Sequence, residues 1–350
     1  MPGLFRLWLI VPLLLACGTP ESELCGEDTG NPCGDPPVSP LEASYGASVT
    51  SLAPLHNRSA QLVCERLQAD FIHLEPHPLT PGSDACDPGT LDQAGQDAAL
   101  RATNYTRWLV GLPPLTHYAE GNAVAQACAL LMSANGNLSH DPPPDWSCYD
   151  AQSSLGAGES NIHLGWSGGR APTAPVYDLI SPFLLDWGAN NVDVVGHRRW
   201  FLSPSQKDTA FGYAWSPGSN FYGGCWHHGF DEARQTSPHP LPHIAWPSPG
   251  PFPKRLIHAG EEAVSWSLSW HADLAPAEAP VEVTVTRLGH GGDDVLPIDL
   301  LRYDNDRYGH TAAVVFQPRW EGQAGSYRIE VRSGQVSAQW DTDIIECASP

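Results

Sequence analysis

The 350-residue sequence is short of basic residues and of methionine, and it lacks several motifs with firm chemical meaning. Lys and Arg total 18 against 39 Asp and Glu, which gives a formal net charge of −21, and there are two Met. An acidic surface repels phosphate backbones, so the composition excludes nucleic acid as a partner. No Cys-x-x-Cys pair is present, which argues against a zinc ribbon or a thioredoxin-type site. His-Glu-x-x-His, typical of zinc-dependent hydrolases, is absent as well.

The N-terminus predicts export with a lipid anchor. An apolar run, Leu7 to Ala16, follows Arg6 and has the length of a signal-peptide core, too short for a membrane-spanning helix. Residues 14–17 resemble the lipobox of bacterial lipoproteins. The resemblance implies a lipoprotein signal peptide over residues 1–17, with cleavage before Cys17 and acylation of that cysteine. The alternative is an ordinary secretory signal. We expect a membrane-anchored lipoprotein of the periplasm or outer cell surface, with no further membrane span.

The cysteine count agrees with export. Apart from Cys17, eight cysteines remain, and an even number in an exported chain favours four disulfides. Pairing each cysteine with its nearest neighbour gives Cys25–Cys33, Cys64–Cys86, Cys128–Cys148 and Cys225–Cys347.

Composition and periodicity divide the rest of the chain into five parts. Residues 18–45 are predicted to be a flexible tether, and 46–92 an N-terminal extension. Residues 93–235 mix helical and strand patterns, 236–254 form a Pro/His-rich linker, and 255–350 alternate with a period of two, as in a β-sandwich. Within 93–235, helices are predicted over 92–110, 119–134 and 175–187, and strands over 199–202 and 210–215.

Three polar islands in apolar surroundings are the best indication of function. They contain His140 (within residues 138–141), Glu159 (within 158–162) and His197 (within 196–200), each beside glycines or turn residues. Glycines and turn residues on both sides of a polar side chain indicate that the side chain lies in a pocket and not on a solvent-exposed face.

The region from about 94 to 215 resembles the CAP superfamily (cysteine-rich secretory proteins, antigen 5 and pathogenesis-related proteins), in its bacterial SCP-like extracellular form. The motifs, in the family's order, are Asn104-Tyr105-Thr106-Arg107 with Gly111-Leu112-Pro113-Pro114-Leu115, then Ala125-Gln126-Ala127-Cys128-Ala129, His140, Gly158-Glu159-Ser160-Asn161-Ile162, Gly196-His197-Arg198-Arg199-Trp200 and Phe211-Gly212. The resemblance implies a CAP-type α-β-α sandwich, so the fold class is α+β, with an all-β immunoglobulin-like sandwich following it.

The resemblance also implies a cleft holding two histidines and two acidic residues. His140, Glu159 and His197 match this set directly. The second acid departs from the family's Glu, and Asp186 is the candidate, with Asp178 as its rival. Two imidazoles, His140 and His197, suit a divalent metal such as Zn²⁺, whereas a metal-free Glu–His proton relay and a purely cavity-shaping role remain open.

Function is left open among three classes, with catalysis disfavoured. We expect the cleft to bind a small or polymeric ligand (lipid, glycan or peptide) by interaction. The alternative is a metal-assisted peptidase or other hydrolase in which His140, Glu159 and His197 are the catalytic candidates. A third hypothesis is a structural or adhesive role for the β-sandwich.

Three further motifs are interpreted without catalysis. The pair His227–His228 could bind a metal together with His239 and His243, but exposure near the linker is favoured. Arg198 and Arg199 could bind an anion near His197, but we expect one of them to pair with an acid and the other to be solvated. The stretch 304–309 begins like a calcium loop but lacks the later ligands, so a β-turn is favoured.

Overall fold

The computed structural model describes residues 50–51, 58–72, 79–172, 177–188, 190–228, 243–259, 262–271, 280–289, 292–306, 308–333 and 336–347. All of these belong to one unit, Tyr45–Pro350, and a separate unit, Met1–Ser44, lies outside the described residues. The predicted signal peptide, the tether, the lipidation site Cys17 and the pair Cys25 and Cys33 therefore fall outside the description.

The N-terminal extension contributes a short strand, β1 (Thr50–Ser51), and a helix, α1 (Ala60–Leu67), which continues as a π-helix over Gln68–Ile72. Ser59 caps α1 by accepting a hydrogen bond from the backbone NH of Leu62, the usual role of serine at this position.

Five helices follow in the described part of the chain. They are α2 (Gln93–Leu109), α3 (Asn122–Asn135), α4 (Ala151–Gly158), α5 (Tyr177–Leu185) and α6 (Gly196–Phe201). Asp92 caps α2, and Asp150 forms a capping box with Ser153 at the start of α4. The predicted helices at 92–110, 119–134 and 175–187 are thus confirmed, with ends shifted by a few residues.

A four-stranded sheet lies between these helices. Its order is β2 (Thr116–His117), β4 (Asp208–Ala214), β5 (Phe221–His227) and β3 (Ser160–Trp166), antiparallel except for β2 and β4. Helices α3 and α4 pack on one face, and α2 and α5 pack on the other. The predicted α-β-α sandwich is confirmed.

Two glycines let α3 approach the sheet closely. A Cβ on Gly212 of β4 would lie 1.9 Å from the carbonyl oxygen of Ala125, and one on Gly223 of β5 would lie 2.0 Å from that of Ala129. Gln126 of α3 adds hydrogen bonds to both backbone groups of Tyr213. The helix is therefore held against the sheet backbone itself.

Residues 199–202, predicted as a strand, belong instead mainly to helix α6. The first turn of α6 is fixed by tertiary contacts, because the Asp186 carboxylate accepts a hydrogen bond from the backbone NH of Arg198 at 3.0 Å. The β-propensity of the aromatic run is overridden by these contacts, as short apolar stretches often are.

The C-terminal region is all β, as predicted. Its strands are β6 (His243–Trp246), β7 (Gly250–Pro253), β8 (His258–Ala259), β9 (Glu262–Ala263), β10 (Trp266–His271), β11 (Val281–Arg287), β12 (Asp294–Leu296), β13 (Ile298–Asp304), β14 (Thr311–Pro318), β15 (Gly325–Ser333) and β16 (Val336–Ile345). One sheet has the order β1-β16-β15-β11-β12, with β7 also pairing with β16, and the second has the order β13-β14-β10-β6.

The two sheets share an aromatic core. Trp266 of β10 meets Tyr327 of β15 edge-to-face, with ring centroids 6.2 Å apart. On its other face the second sheet contacts the helical region, because Val195 packs against Ala313 and Val315 of β14. The sandwich is therefore packed directly onto the α-β-α layers.

The predicted linker 236–254 differs from the structure over its second half. Residues 243–246 and 250–253 form β6 and β7, and His243, Trp246 and Phe252 are buried. Proline is tolerated here because β7 has a single partner strand, β16, in the described sheet. Residues 229–242 lie outside the description.

Three disulfides are present in the described residues, and their pairing corrects the nearest-neighbour expectation. The bonds are Cys64–Cys347, Cys86–Cys148 and Cys128–Cys225. The reason is topological, since Cys128 on α3 faces Cys225 on β5, with Cα atoms 6.2 Å apart, although 97 residues separate them. Disulfides are typical of proteins from oxidising, extracytoplasmic compartments. Among the described helices, none is both long and apolar enough to cross a bilayer.

Candidate functional site

His140 is held just after α3 by a backbone hydrogen bond. Helix α3 ends at Gly136, whose left-handed φ of 55° turns the chain away from the helix axis. The Nδ1 atom of His140 then donates to the carbonyl oxygen of Ala157, at 2.8 Å, near the end of α4. Since a carbonyl can only accept, Nδ1 carries a proton, and in the neutral imidazole the lone pair is then on Nε2.

His197 is oriented by a buried carboxylate in the same manner. Its Nδ1 donates to Asp186 Oδ1 at 2.8 Å, and Asp186 is 1 % exposed. Asp186 follows α5 with a φ of 52°, a left-handed conformation that is uncommon for a non-glycine residue and is often found at functional sites. Asp186, predicted as the second acid of the cleft, is thus hydrogen-bonded to His197 and is not itself among the described residues that line the cavity. Nε2 of His197 remains for other interactions.

Glu159 is not among the described residues that line the cleft, although both of its neighbours are. Glu159 ends α4, and its Oε2 lies 4.0 Å from Nε2 of His227. Ser160 and Asn161, the first residues of β3, take part in the cleft instead. Asn161 Nδ2 donates to the carbonyl oxygen of His197 at 3.0 Å, which ties the second and third islands together.

The islands converge on one cavity of about 530 Å³, within the range of small-molecule sites. Its described lining residues are His140, Gly158, Ser160, Asn161, Asn190, Asn191, Val194, Gly196, His197, Trp200, His228, Asp306 and Tyr308.

The three islands contain seven of the thirteen described lining residues, and the other six were not predicted as part of the site. Asn190 and Asn191 lie in the turn before α6, and nothing in their local pattern singles them out. Asp306 and Tyr308 come from the C-terminal sandwich, about 100 residues away in sequence, so no local signal could connect them with His197.

His228 also corrects an expectation. The pair His227–His228 is buried, each residue 4 % exposed, and is not at the surface. The ring of His228 stacks on Trp200 with centroids 4.3 Å apart and planes inclined by 4°. This stack forms part of the cleft lining, and the order of the residues in the chain gives no sign of it.

Arg198 and Arg199 are both buried, contrary to the expectation that one is solvated. Arg198 donates to the carbonyl oxygens of Leu184 (2.6 Å) and Ser265 (2.7 Å), and Arg199 Nη1 donates to Asp304 Oδ1 at 2.6 Å. Burial lowers the pKa of Arg199, and the hydrogen bond to Asp304 opposes this effect. Neither guanidinium lines the cavity, so the described lining contains no Lys or Arg.

Burial and nearby charges shift the pKa values of two side chains around the cleft, Tyr308 and His163. Burial raises the pKa of Tyr308, and the carboxylates of Asp306 and Asp304 act in the same direction, so its phenol stays protonated at neutral pH and can donate. Burial, with a smaller contribution from His197, lowers the pKa of His163 behind the site to about 4, which keeps this imidazole neutral.

The donor set at the cleft suits a metal only in part. Among the residues that the structure describes, no group of three or more His, Cys, Asp or Glu side chains is placed to hold an ion. His140 and His197 each have Nδ1 engaged by an oxygen, the arrangement in which imidazoles usually coordinate through Nε2. Two such nitrogens fit an exchangeable ion with water ligands better than a closed structural zinc site.

The fold and cleft define a CAP-type domain joined to a β-sandwich, and comparison with known proteins agrees. The model of the cysteine-rich secretory protein (CAP) family matches residues 100–227, so this region is a CAP domain. No curated protein matches the chain. One solved structure with a likeness to the chain is PcoC, a copper resistance protein from Escherichia coli. It is 10% identical and the match covers 29% of this chain and 95% of that chain, with a TM-score of 0.20.

Proposed function

We propose that this protein is exported and that its CAP cleft binds a polar ligand non-covalently, without turnover. The observation that supports this most directly is the cavity of about 530 Å³ lined by His140 and His197, each with Nδ1 fixed by an oxygen. Imidazoles oriented in this way present Nε2 at a constant position, which is the preorganisation that a binding site requires.

The two serines beside the polar islands, Ser139 and Ser160, are not hydrogen-bonded to the Asp186–His197 pair. A nucleophilic serine needs an oriented base within hydrogen-bond reach. Ser160 Oγ shares a hydrogen bond of 3.4 Å with Nδ1 of His227, and Ser139 Oγ accepts one from the backbone NH of Asp141 at 3.1 Å. The base-like pair Asp186–His197 is thus not the partner of either serine in these contacts.

The Asp186–His197 pair favours a second candidate, a hydrolase that activates water. A buried carboxylate on Nδ1 is the arrangement that prepares Nε2 to accept a proton. Turnover of peptide, ester or glycan substrates that is lost in Asp186→Asn would establish this function. Chelator-sensitive turnover lost in Glu159→Gln would establish its metal-assisted form.

A divalent ion such as Zn²⁺ is proposed as an optional component only. Its protein ligands would be Nε2 of His140 and Nε2 of His197, and it would supply Lewis-acid contact to the bound ligand. Metal analysis of the purified protein, with His140→Ala and His197→Ala beside the wild type, tests this.

Ligand binding is tested by calorimetry with an N-acetylglucosamine tetrasaccharide, a neutral tetrapeptide and a fatty acid. We expect one class to bind saturably and His140→Ala and His197→Ala to weaken it. The matched control is His258→Ala, since His258 lies against Trp320 in the C-terminal region and does not line the cleft. Unchanged binding and unchanged metal content in both cleft variants would refute the proposed function.

Anchoring through an acylated Cys17 is proposed from the sequence. Mass spectrometry of the N-terminal peptide is expected to show acyl chains on Cys17, and Cys17→Ala is expected to release the protein from the membrane fraction. An unmodified, soluble wild-type protein would show an ordinary secretory signal instead.

A further inference from the structure

The cleft is lined from two regions of the chain that are far apart in sequence. His140, Asn161, His197 and Trp200 come from the CAP domain. Asp306 and Tyr308 belong to the turn between β13 and β14 of the sandwich, here called the β13–β14 turn (Asp306, Tyr308 and Gly309). The C-terminal region therefore supplies part of the site.

Arg199 holds the β13–β14 turn against the CAP domain. Its guanidinium donates to Asp304 Oδ1 at 2.6 Å, also donates to the carbonyl oxygen of Asp306, and lies over the ring of Tyr308 with Cζ 5.0 Å from the centroid. The Arg199 and Asp304 side chains are 1 % and 2 % exposed. A charge pair this deeply buried is costly unless its geometry is kept, so it favours one arrangement of the turn.

Glycine allows this close approach. Gly309 has a φ of 61°, and a Cβ at this position would lie 2.5 Å from the carbonyl oxygen of Arg199. Ser203 Oγ donates to the carbonyl oxygen of Gly309 at 3.1 Å. Arg199 of helix α6 and Ser203 after it therefore contact Asp306, Tyr308 and Gly309. These contacts hold the β13–β14 turn in one position at the side of the cleft.

The chemistry of the two walls selects among ligand classes. The described lining offers amide, imidazole, hydroxyl and phenol groups, a single unburied carboxylate and one indole, but no Lys or Arg. Within the described lining, a phosphorylated or sulfated ligand would meet no Lys or Arg, the residues with which such ligands normally pair. An acyl chain would offer no hydrogen-bond partner to the imidazole and amide groups of the described lining, which is unfavourable.

Neutral, hydroxyl-rich ligands match this lining. A sugar hydroxyl both donates and accepts, as do the side chains of Asn, neutral His and Tyr, so each contact can be satisfied in either direction. The phenol of Tyr308 and the carboxylate of Asp306 add a donor and an acceptor from the second wall. The indole of Trp200, already stacked on His228, supplies an apolar surface next to them.

We propose that the β13–β14 turn is a specificity-determining wall of the CAP cleft and that the two walls together bind a segment of a neutral glycan. This inference rests on the proposed binding function of the cleft and adds to it both the ligand class and the contribution of the sandwich.

The test uses the full chain and calorimetric titration with an N-acetylglucosamine tetrasaccharide, with a sulfated tetrasaccharide and a neutral tetrapeptide for comparison. Saturable binding of the neutral sugar is expected, weakened about tenfold or more by Tyr308→Ala and by Asp306→Asn. The matched control is Asp294→Asn, since Asp294 is exposed in strand β12 and should leave binding unchanged. Circular dichroism melting confirms that each variant is folded.

Each outcome decides one part of the proposal. If His140→Ala weakens binding of the sugar while Tyr308→Ala and Asp306→Asn do not, the cleft binds and the role of the turn is refuted. If the sulfated sugar or the peptide binds and the neutral sugar does not, the ligand class is refuted. If the sugar binds and none of the cleft variants affects it, the proposed function fails together with this inference. No saturable binding of the neutral sugar also refutes the glycan assignment.

Discussion

The ion pair between Arg199 and Asp304 yields the sharpest test of how the two regions are joined. Both side chains are almost fully buried and meet at 2.6 Å. Replacing Asp304 by Leu leaves the Arg199 guanidinium buried without its carboxylate partner, although it still donates to the carbonyl oxygen of Asp306. Removing one partner of such a pair costs about 3–5 kcal/mol, because the other charge stays buried without compensation.

Replacing Arg199, the other partner of the pair, is expected to lower the free energy of unfolding by less than replacing Asp304. In Arg199→Met, the Asp304 carboxylate still accepts from Arg302 Nη2 at 3.3 Å and from the backbone NH of Asp306 at 3.1 Å. We therefore expect a loss of unfolding free energy of about 3 kcal/mol, at the lower end of the range for buried pairs. The double variant Arg199→Met/Asp304→Leu buries no charge at these two positions and should lose less than the sum of the single changes.

Urea-induced unfolding, followed by tryptophan fluorescence, measures all four proteins of this double-mutant cycle. The exposed pair Arg328–Asp341, at 2.8 Å and with side chains 42 % and 48 % exposed, is the control. Arg328→Met should cost about 1 kcal/mol or less. Additive losses in the cycle, or a loss in Asp304→Leu no larger than that of the control, would refute the view that this pair fixes the β13–β14 turn.

Three further predictions concern the packing of the fold. Gly212→Ala should destabilise the protein by about 3 kcal/mol or more in urea unfolding, because its Cβ would overlap the backbone of α3, whereas Gly289→Ala, whose nearest atom is 3.6 Å away, should change little. Peptide mapping should find Cys64 joined to Cys347, and replacing both by Ser should cost roughly 5 kcal/mol, since the bond closes a loop with a sequence separation of 283; a Cys64–Cys86 peptide would contradict the fold. Burial lowers the pKa of His243 from 6.5 to about 4, so stability present above pH 6.5 should be lost as the pH falls towards 4; His243→Leu should reduce this loss in unfolding measured at pH 7 and pH 5, and an unchanged pH dependence would count against it.

Much of the fold could be predicted from local patterns. The caps at Asp92 and the stop at Gly136 mark helix ends because Asp side chains accept backbone NH groups and glycine tolerates a left-handed φ. The alternation in residues 264–270 and 327–331 indicates strands because successive side chains of a strand point to opposite faces. These are properties of neighbouring residues, so the sequence contains them directly.

The positions that the sequence assigned wrongly are those decided by distant contacts. Residues 199–202 are mainly helical because the Asp186 carboxylate and Asp304 hold this turn, and the proline-rich stretch 243–253 forms strands because β6 and β7 find partners in two sheets. The Cys128–Cys225 disulfide joins helix α3 to strand β5 for the same reason.

The site, like the fold, has features that local sequence predicts and features that depend on contacts between distant segments. The sequence by itself determined the order of His140, Glu159, Asp186 and His197 along the chain, and this order is what the resemblance to the CAP family rests on. Only the tertiary structure decided that Ser160 and Asn161, and not Glu159, enter the cleft, and that Asp306 and Tyr308 complete it. These residues are brought together by sheet order and by the buried Arg199–Asp304 pair, which depend on contacts between segments that the chain itself keeps far apart.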